Sequence, residues 1–416
     1  MRDRLEQLHE NLLQYPVASD MQNQTVVIGD LHGNAMKLIY LLLRFGIINM
    51  NPDRYARLMT LYNTPVNDLT LELLDEFEAI VNASTIGTFP DLLVLIGDEF
   101  SDRGQNDFFT ALVFKKMHDS GVPYKIHLSN HGASLIGYLE NPLIPLAKFH
   151  KGQENSLDNL RTLVGKFEQL KVKFSSLVEH AYKDHLALIG YIQTVGQPLS
   201  VLTHAPIDNV IMKGLSQTFS VDYHSETADN LVECIDKINA AISTSIKENR
   251  FTTDYSSLKR SFVYQPLWNR GAPKEYLPNR IINIHGHVGP GQLSSNRYIN
   301  LDTQWGKPSE IGYDLEGNQG IIPADDEGVC PIVHAETSMM DRQSAYYQSA
   351  LDRGATLIAF DEVSPITVAV TDDLVDIDAL PDVGHNNQVG KEFKRKYSEI
   401  SNDDQNEQEP IAKRTP

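Results

Sequence analysis

Apolar positions along the chain follow two alternating rhythms. Thr25-Val-Val-Ile, Leu92-Leu-Val-Leu-Ile and Tyr124-Lys-Ile-His-Leu have the density of buried strands, and each runs into a polar loop and then helical spacing. Met36 to Phe45 predicts a helix stopped by Gly46, and further helices are predicted after Gly104 and Gly132. Strand, loop and helix repeated in this order predict a layered α/β fold with its polar loops at the carboxyl ends of the strands. Two stretches, 47–90 and 141–197, break the rhythm. In the second, Leu157, Leu160, Val164, Phe167, Leu170, Phe174 and Leu177 predict one long amphipathic helix, packed as an insertion. Leu5, Leu8 and Leu12 predict a short helix over 3–14, and another is predicted over 223–249. Beyond Arg280 short strands are predicted at Ile281–His285, Tyr298–Leu301, Val329–His334, Thr356–Phe360 and Ile366–Val370. The resulting plan is an N-terminal helix within 1–20, one main domain over 21–380 with helical insertions, and a tail over 381–416. That tail turns to mixed charge and is predicted to be disordered.

Composition narrows the class. With 36 basic and 55 acidic residues the formal net charge is −19, which argues against a nucleic-acid partner, since phosphate backbones demand a basic surface. A small local anion site is still allowed, because bound metal can invert the field. Cys234 and Cys330 stand far apart in no metal-ligand spacing and read as reduced thiols. The N-terminus is too charged for a signal peptide, and the run Leu38 to Leu43 is far short of the roughly 20 residues of a membrane span, so a cytoplasmic protein without a membrane span is expected.

Five short blocks share one property: each sets Asp, Asn or His directly after an apolar strand. They are Gly29-Asp30-Leu31-His32-Gly33, Gly97-Asp98-Glu99-Phe100-Ser101-Asp102-Arg103-Gly104, Ser129-Asn130-His131, Thr203-His204-Ala205-Pro206 and His285-Gly286-His287. Strand ends on one sheet edge lie close together, so these side chains can converge. Oxygen and imidazole donors without thiolate suit Mn, Fe or Zn, and more ligands than one ion needs predict a metal pair that activates water for displacement at phosphorus. Singly, none is persuasive; His118, His127, His150, His180 and His185 read as ordinary core or surface residues.

In order and content the blocks resemble the phosphoprotein phosphatase (PPP) family of metallophosphoesterases, with signatures GDxHG, GDxxDRG and GNHE. The resemblance runs from about Thr25 to Thr303 and implies a calcineurin-like metallophosphoesterase sandwich, an α/β fold of central sheets flanked by helices, here with helical insertions. It implies a phosphorylated protein as substrate and two divalent ions as cofactors, Mn first, with Fe or Zn as alternatives. By position, Asp30 and His32 would hold the first metal, Asp98 would bridge both, and Asn130, His204 and His287 would hold the second. Arg103 and Arg270 resemble phosphate clamps. His131 resembles the general acid that serves a metal-bridging hydroxide, and Asp102 the carboxylate that orients it. The run Asn300-Leu301-Asp302-Thr303 is similar to a strand of bacterial members, with no role implied.

Three departures stand out. The second block is one residue longer than the family form, which could shift Asp102 and Arg103 relative to Asp98. The third block, Ser129-Asn130-His131-Gly132, lacks the family's Gly and Glu. The last block offers His285 as well as His287. The long block, the Ser-Asn-His variant and the insertions together resemble Wip-type effector phosphatases of intracellular bacteria, which would fit delivery into a host cell. The rival readings are a dinucleoside polyphosphate hydrolase, which would need a base-binding pocket, and a non-catalytic binding module on the same fold.

Overall fold

A computed structural model describes residues 12–18, 24–142, 154–193, 198–224, 227–255, 262–278, 281–289 and 297–302, together with backbone strands at 9–11 and between 308 and 329. In chain order the elements are β1 His9–Asn11, β2 Thr25–Ile28, α1 Ala35–Arg44, β3 Ile48–Asn49, α2 Pro52–Tyr62, α3 Leu71–Asn82, β4 Thr85–Ile86, β5 Leu92–Leu95, α4 Asp107–Asp119, β6 Tyr124–His127, α5 Asn130–Glu140, α6 Asn155–Lys166, α7 Glu168–Ala181, β7 Leu186–Ala187, β8 Gly190–Ile192 and β9 Ser200–Leu202. They continue with α8 Asn209–Thr218, α9 Ala228–Lys247, α10 Phe251–Tyr255, α11 Gln265–Trp268, β10 Ile282–His285, β11 Tyr298–Asn300, β12 Pro308–Ser309, β13 Gly312–Tyr313, β14 Glu316–Asn318, β15 Ile321–Asp325 and β16 Gly328–Val329.

Two sheets carry the site. One has the order β16-β15-β2-β5-β6-β7, with β2, β5, β6 and β7 parallel; the other has the order β11-β10-β9-β8, with β9, β10 and β11 parallel. Because strand side chains alternate between faces, each strand serves two layers. Val26, Ile28, Leu93 and Leu95 join the large core formed with the helices. Their neighbours Val27, Val94 and Ile96 pack against Leu202, Ile284, Ile299 and Leu301 of the second sheet. Both faces of β2 and β5 are therefore apolar, which is why these strands read as continuous hydrophobic runs. The fold is the expected α/β sandwich, with its parallel strands all ending on one edge.

Helix starts follow capping chemistry. Asn34, Asn106 and Ser129 each accept a backbone N–H from the first turn of α1, α4 and α5, closing a motif loop onto a helix. Two expectations need correction. The long helix predicted over 157–177 is two helices broken at Phe167, whose extended backbone (φ −134°, ψ 90°) follows the weak helix former Gly165. Within the helix predicted over 3–14, residues 9–11 instead form β1, antiparallel to β14, a pairing across some three hundred residues that local spacing cannot reveal. The strand expected from Val329 begins as β16 at Gly328–Val329; its remainder, the strands at 356–360 and 366–370, Cys330, His150 and the tail lie outside the described residues.

Candidate active site

Backbone hydrogen bonds draw the strand ends together. Leu31 N–H donates to Gly97 O (3.1 Å), Gly33 N–H to Asp98 O (2.7 Å), Gly286 N–H to His204 O (2.7 Å) and Leu301 N–H to His285 O (2.7 Å). His287 N–H donates to Asp30 Oδ2 (3.0 Å), tying the last block to the first across 257 residues. A side chain at Gly286 would overlap Asp30 Oδ1, so only glycine permits this approach. Strain concentrates here as well. His32 (φ 58°), Asp98 (φ 56°), Ser101 (φ 56°) and His287 (φ 72°) all adopt left-handed backbone, a cost of roughly 1–3 kcal/mol each that surrounding structure must offset.

Asp30, His32, Asp98, Asp102, Asn130, His131, His204 and His287 are all buried. Ligand atoms of Asp30, His32 and Asp98 lie within 4.8 Å of one another, as do those of Asp98, Asp102 and His131. His204 carries the most telling geometry. Its Nδ1 faces the Ile96 carbonyl (3.1 Å) and must donate to it, which leaves the Nε2 lone pair in the neutral ring. That Nε2 lies 2.8 Å from Asn130 Oδ1 and 3.3 Å from Asp98 Oδ1. Burial, the first cause, holds the His204 pKa below its usual value, which favours the neutral ring whose Nε2 faces these two oxygens. Asp98 Oδ1 and His287 Nε2 are buried and make no hydrogen bond. Burial and the nearby charges of His204 and Arg270 push His287 well below the usual histidine range. Neutral imidazoles and a bare carboxylate oxygen are the donor set that a divalent cation requires, so these residues fit a metal.

The second acidic triad has a different character. Asp102 Oδ2 accepts from His32 Nδ1 (3.2 Å), while its Oδ1 accepts from Arg103 (3.1 Å) and lies 3.6 Å from His131 Nε2. Burial alone would raise the Asp102 pKa, but the charges of His131, His32 and Arg103 hold it well below the usual carboxylate range. His131 donates from Nδ1 to the Ser101 carbonyl. Burial opposes its protonation, yet Asp102, Asp98 and the Ser101 carbonyl outweigh that and raise its pKa. An imidazole backed by a carboxylate and drawn toward its protonated form is suited to donating a proton.

Within the second block, Ser101 turns left-handed, with its N–H held by both oxygens of Asp107 (3.0 Å each). Arg103 lies at the rim with its side chain 27% exposed; Arg270 is exposed, and its charge is felt at His287. Trp268, also 40% exposed, sets its ring edge against His287. His285 sets its ring against Tyr298.

Two buried acids at the site were given no role from sequence. Glu99, in the long second block, accepts from the Tyr182 hydroxyl and lies beside Gly132: a Cβ placed there would stand 3.5 Å from Glu99 Oε1. The long block thus brings a carboxylate to the place where the third block lacks one. Asp302 follows β11, with its Oδ1 3.6 Å from His32 Nε2. Its signal was the one shared by the five blocks, a metal-capable residue directly after an apolar strand.

Comparison with known proteins follows the same lines. The model of the WipA-like phosphatase domain matches residues 92–307, just over half the chain, and leaves Asp30 and His32 ahead of the match. The fold matches the crystal structure of the phosphatase domain from the Legionella effector WipB, with TM-score 0.57 and 25% identity, covering 65% of this chain and 100% of that one. No curated protein sequence gives a match. With the fold, the matched residues and the motif blocks in agreement, the chain belongs to the family of WipA-like phosphatase domains.

Proposed function

We propose that the chain is a metal-dependent phosphoprotein phosphatase of the PPP type, which hydrolyses phosphomonoesters at the edge where the five blocks meet. The observation that carries this reading is the buried convergence of His204 Nε2, Asn130 Oδ1 and Asp98 Oδ1 at the strand ends. Asp30 and His32 would hold one ion, Asn130, His204 and His287 a second, and Asp98 both. Two such ions, Mn in the first instance, would supply an ionised water near neutral pH and neutralise charge during in-line displacement at phosphorus.

The protein's own groups would do the rest. Arg103 and Arg270, always charged and fork-shaped, would bind the non-bridging phosphate oxygens from the rim. His131 would give its Nε2 proton to the departing alkoxide or phenoxide, and Asp102 would stabilise the imidazolium before that transfer. The likeness to the phosphatase domain of the Legionella effector WipB supports the reading that this chain acts on phosphoproteins of a host cell.

The test is phosphate release from matched phosphoserine, phosphothreonine and phosphotyrosine peptides and from diadenosine tetraphosphate, with Mn present, using the full chain and His131→Ala. Release from peptides that falls roughly 10²–10⁴-fold in the variant is expected, and the preferred peptide assigns the substrate class. Release from the dinucleotide alone would replace this reading with a polyphosphate hydrolase. Metal binding with no release from any substrate would leave a binding module.

A further inference from the structure

Asp302 is a buried carboxylate with one oxygen engaged and one not. Its Oδ2 accepts the Gly289 N–H (2.6 Å), and its own N–H donates to Asn300 Oδ1 (2.9 Å), so the side chain is anchored to the loop after β10. Its Oδ1 is buried and makes no hydrogen bond. That oxygen lies 3.6 Å from His32 Nε2. The opposite ring nitrogen of His32 is turned to Asp102 Oδ2 at 3.2 Å, and an ionised carboxylate fixes the proton on Nδ1. The Nε2 edge of the His32 ring therefore faces the Asp302 carboxylate. Two donors roughly 2.0–2.2 Å from one ion are separated by roughly 3.0–3.6 Å at right to tetrahedral angles, and this pair meets that spacing.

We infer that Asp302 is a further oxygen ligand of the ion held by Asp30 and His32. The inference rests on the metal-dependent reading above. It makes the two positions chemically unequal. Asp30, Asp98 and Asp302 would offer the first ion three carboxylates beside the His32 imidazole, whereas Asn130, His204 and His287 would give the second an amide and two imidazoles. Harder donors favour Mn or Fe at the first position, and the imidazole-rich second position tolerates Zn.

The test is calorimetric titration of Mn into the metal-stripped full chain, alongside Asp302→Asn and Asp302→Ala. Two equivalents are expected for the unaltered chain, with affinity for one of them lowered about tenfold or more in both variants and the other unchanged. Asp302→Asn keeps the shape and an acceptor for Gly289 N–H, so it remains informative if the alanine variant does not fold. Two sites of unaltered affinity in Asp302→Asn would overturn the inference while leaving the metal reading intact. Absence of Mn binding by the unaltered chain would overturn both.

Discussion

Asp102 meets three partners, His32, Arg103 and His131, so in the proposed reaction one buried carboxylate would couple a metal ligand, a phosphate clamp and the proton donor. Such sharing makes the role of His131 separable by leaving group. An alkyl phosphoester must be protonated as it leaves, whereas p-nitrophenolate departs without a proton. His131→Ala should therefore lose about 10²–10⁴-fold in kcat on a phosphoserine peptide and markedly less on p-nitrophenyl phosphate; equal losses would place His131 outside proton transfer. Gly286 gives a second check, because it is what lets Asp30 approach the last block. Gly286→Ala should weaken Mn binding by about tenfold or more while melting stays cooperative, as titration and circular dichroism would show. The ligand-type residues were legible from sequence because strand, glycine and donor recur together in five blocks. Glu99 was not, since nothing local says that a residue of the second block faces Gly132 of the third.

At the level of elements, the parallel strands were legible because both their faces are buried and their apolar runs are continuous. The break at Phe167 and the strand β1 were not, as both depend on what each segment meets in space. That distinction changes how the helices α6 and α7 should be tested. The N-terminus of α6 is locked onto the site: Ser156 N–H donates to Asp102 O (2.9 Å), Asn155 Nδ2 to Gly104 O (3.0 Å) and Asn159 Nδ2 to Gln105 O (2.6 Å). Leu157, Leu160, Phe174 and Tyr182 belong to the main core, and β7 follows directly as a sheet strand. Removing 150–190 should therefore unfold the chain rather than retune its substrate preference, and a surviving cooperative melt would contradict this. The milder Leu160→Ala is expected to cost roughly 2–5 kcal/mol in urea denaturation, since a cavity opens in the core beneath the Asp102 loop.

For the molecule as a whole, buried ionisable groups set a pH window. Burial raises Glu99 to about 8 and Asp107 to about 7, so each binds its proton more tightly folded than unfolded. Their contribution is full below the unfolded carboxyl range, near pH 4, and is lost as pH rises through 7 and 8. His127, which burial pushes down to about 3, acts oppositely: below about 6.5 the unfolded chain takes up a proton that the folded chain refuses, and stability falls toward acid. On these three groups the metal-stripped chain should melt highest at about pH 4–5 and lose stability toward pH 9, and Glu99→Gln should flatten that alkaline limb. A melting temperature that rises toward pH 9 would contradict the assignment of Glu99 as a neutral buried acid. The net charge of −19 bears on partners rather than fold: in the proposed reading, bound cations and the two rim arginines would have to attract a phosphate against it. The most direct test of the account is to strip the full chain of metal and add Mn back stepwise, reading phosphate release from its preferred phosphopeptide. The account predicts no turnover in the stripped chain and recovery that is complete only when two equivalents are bound; undiminished turnover in the stripped chain would contradict it.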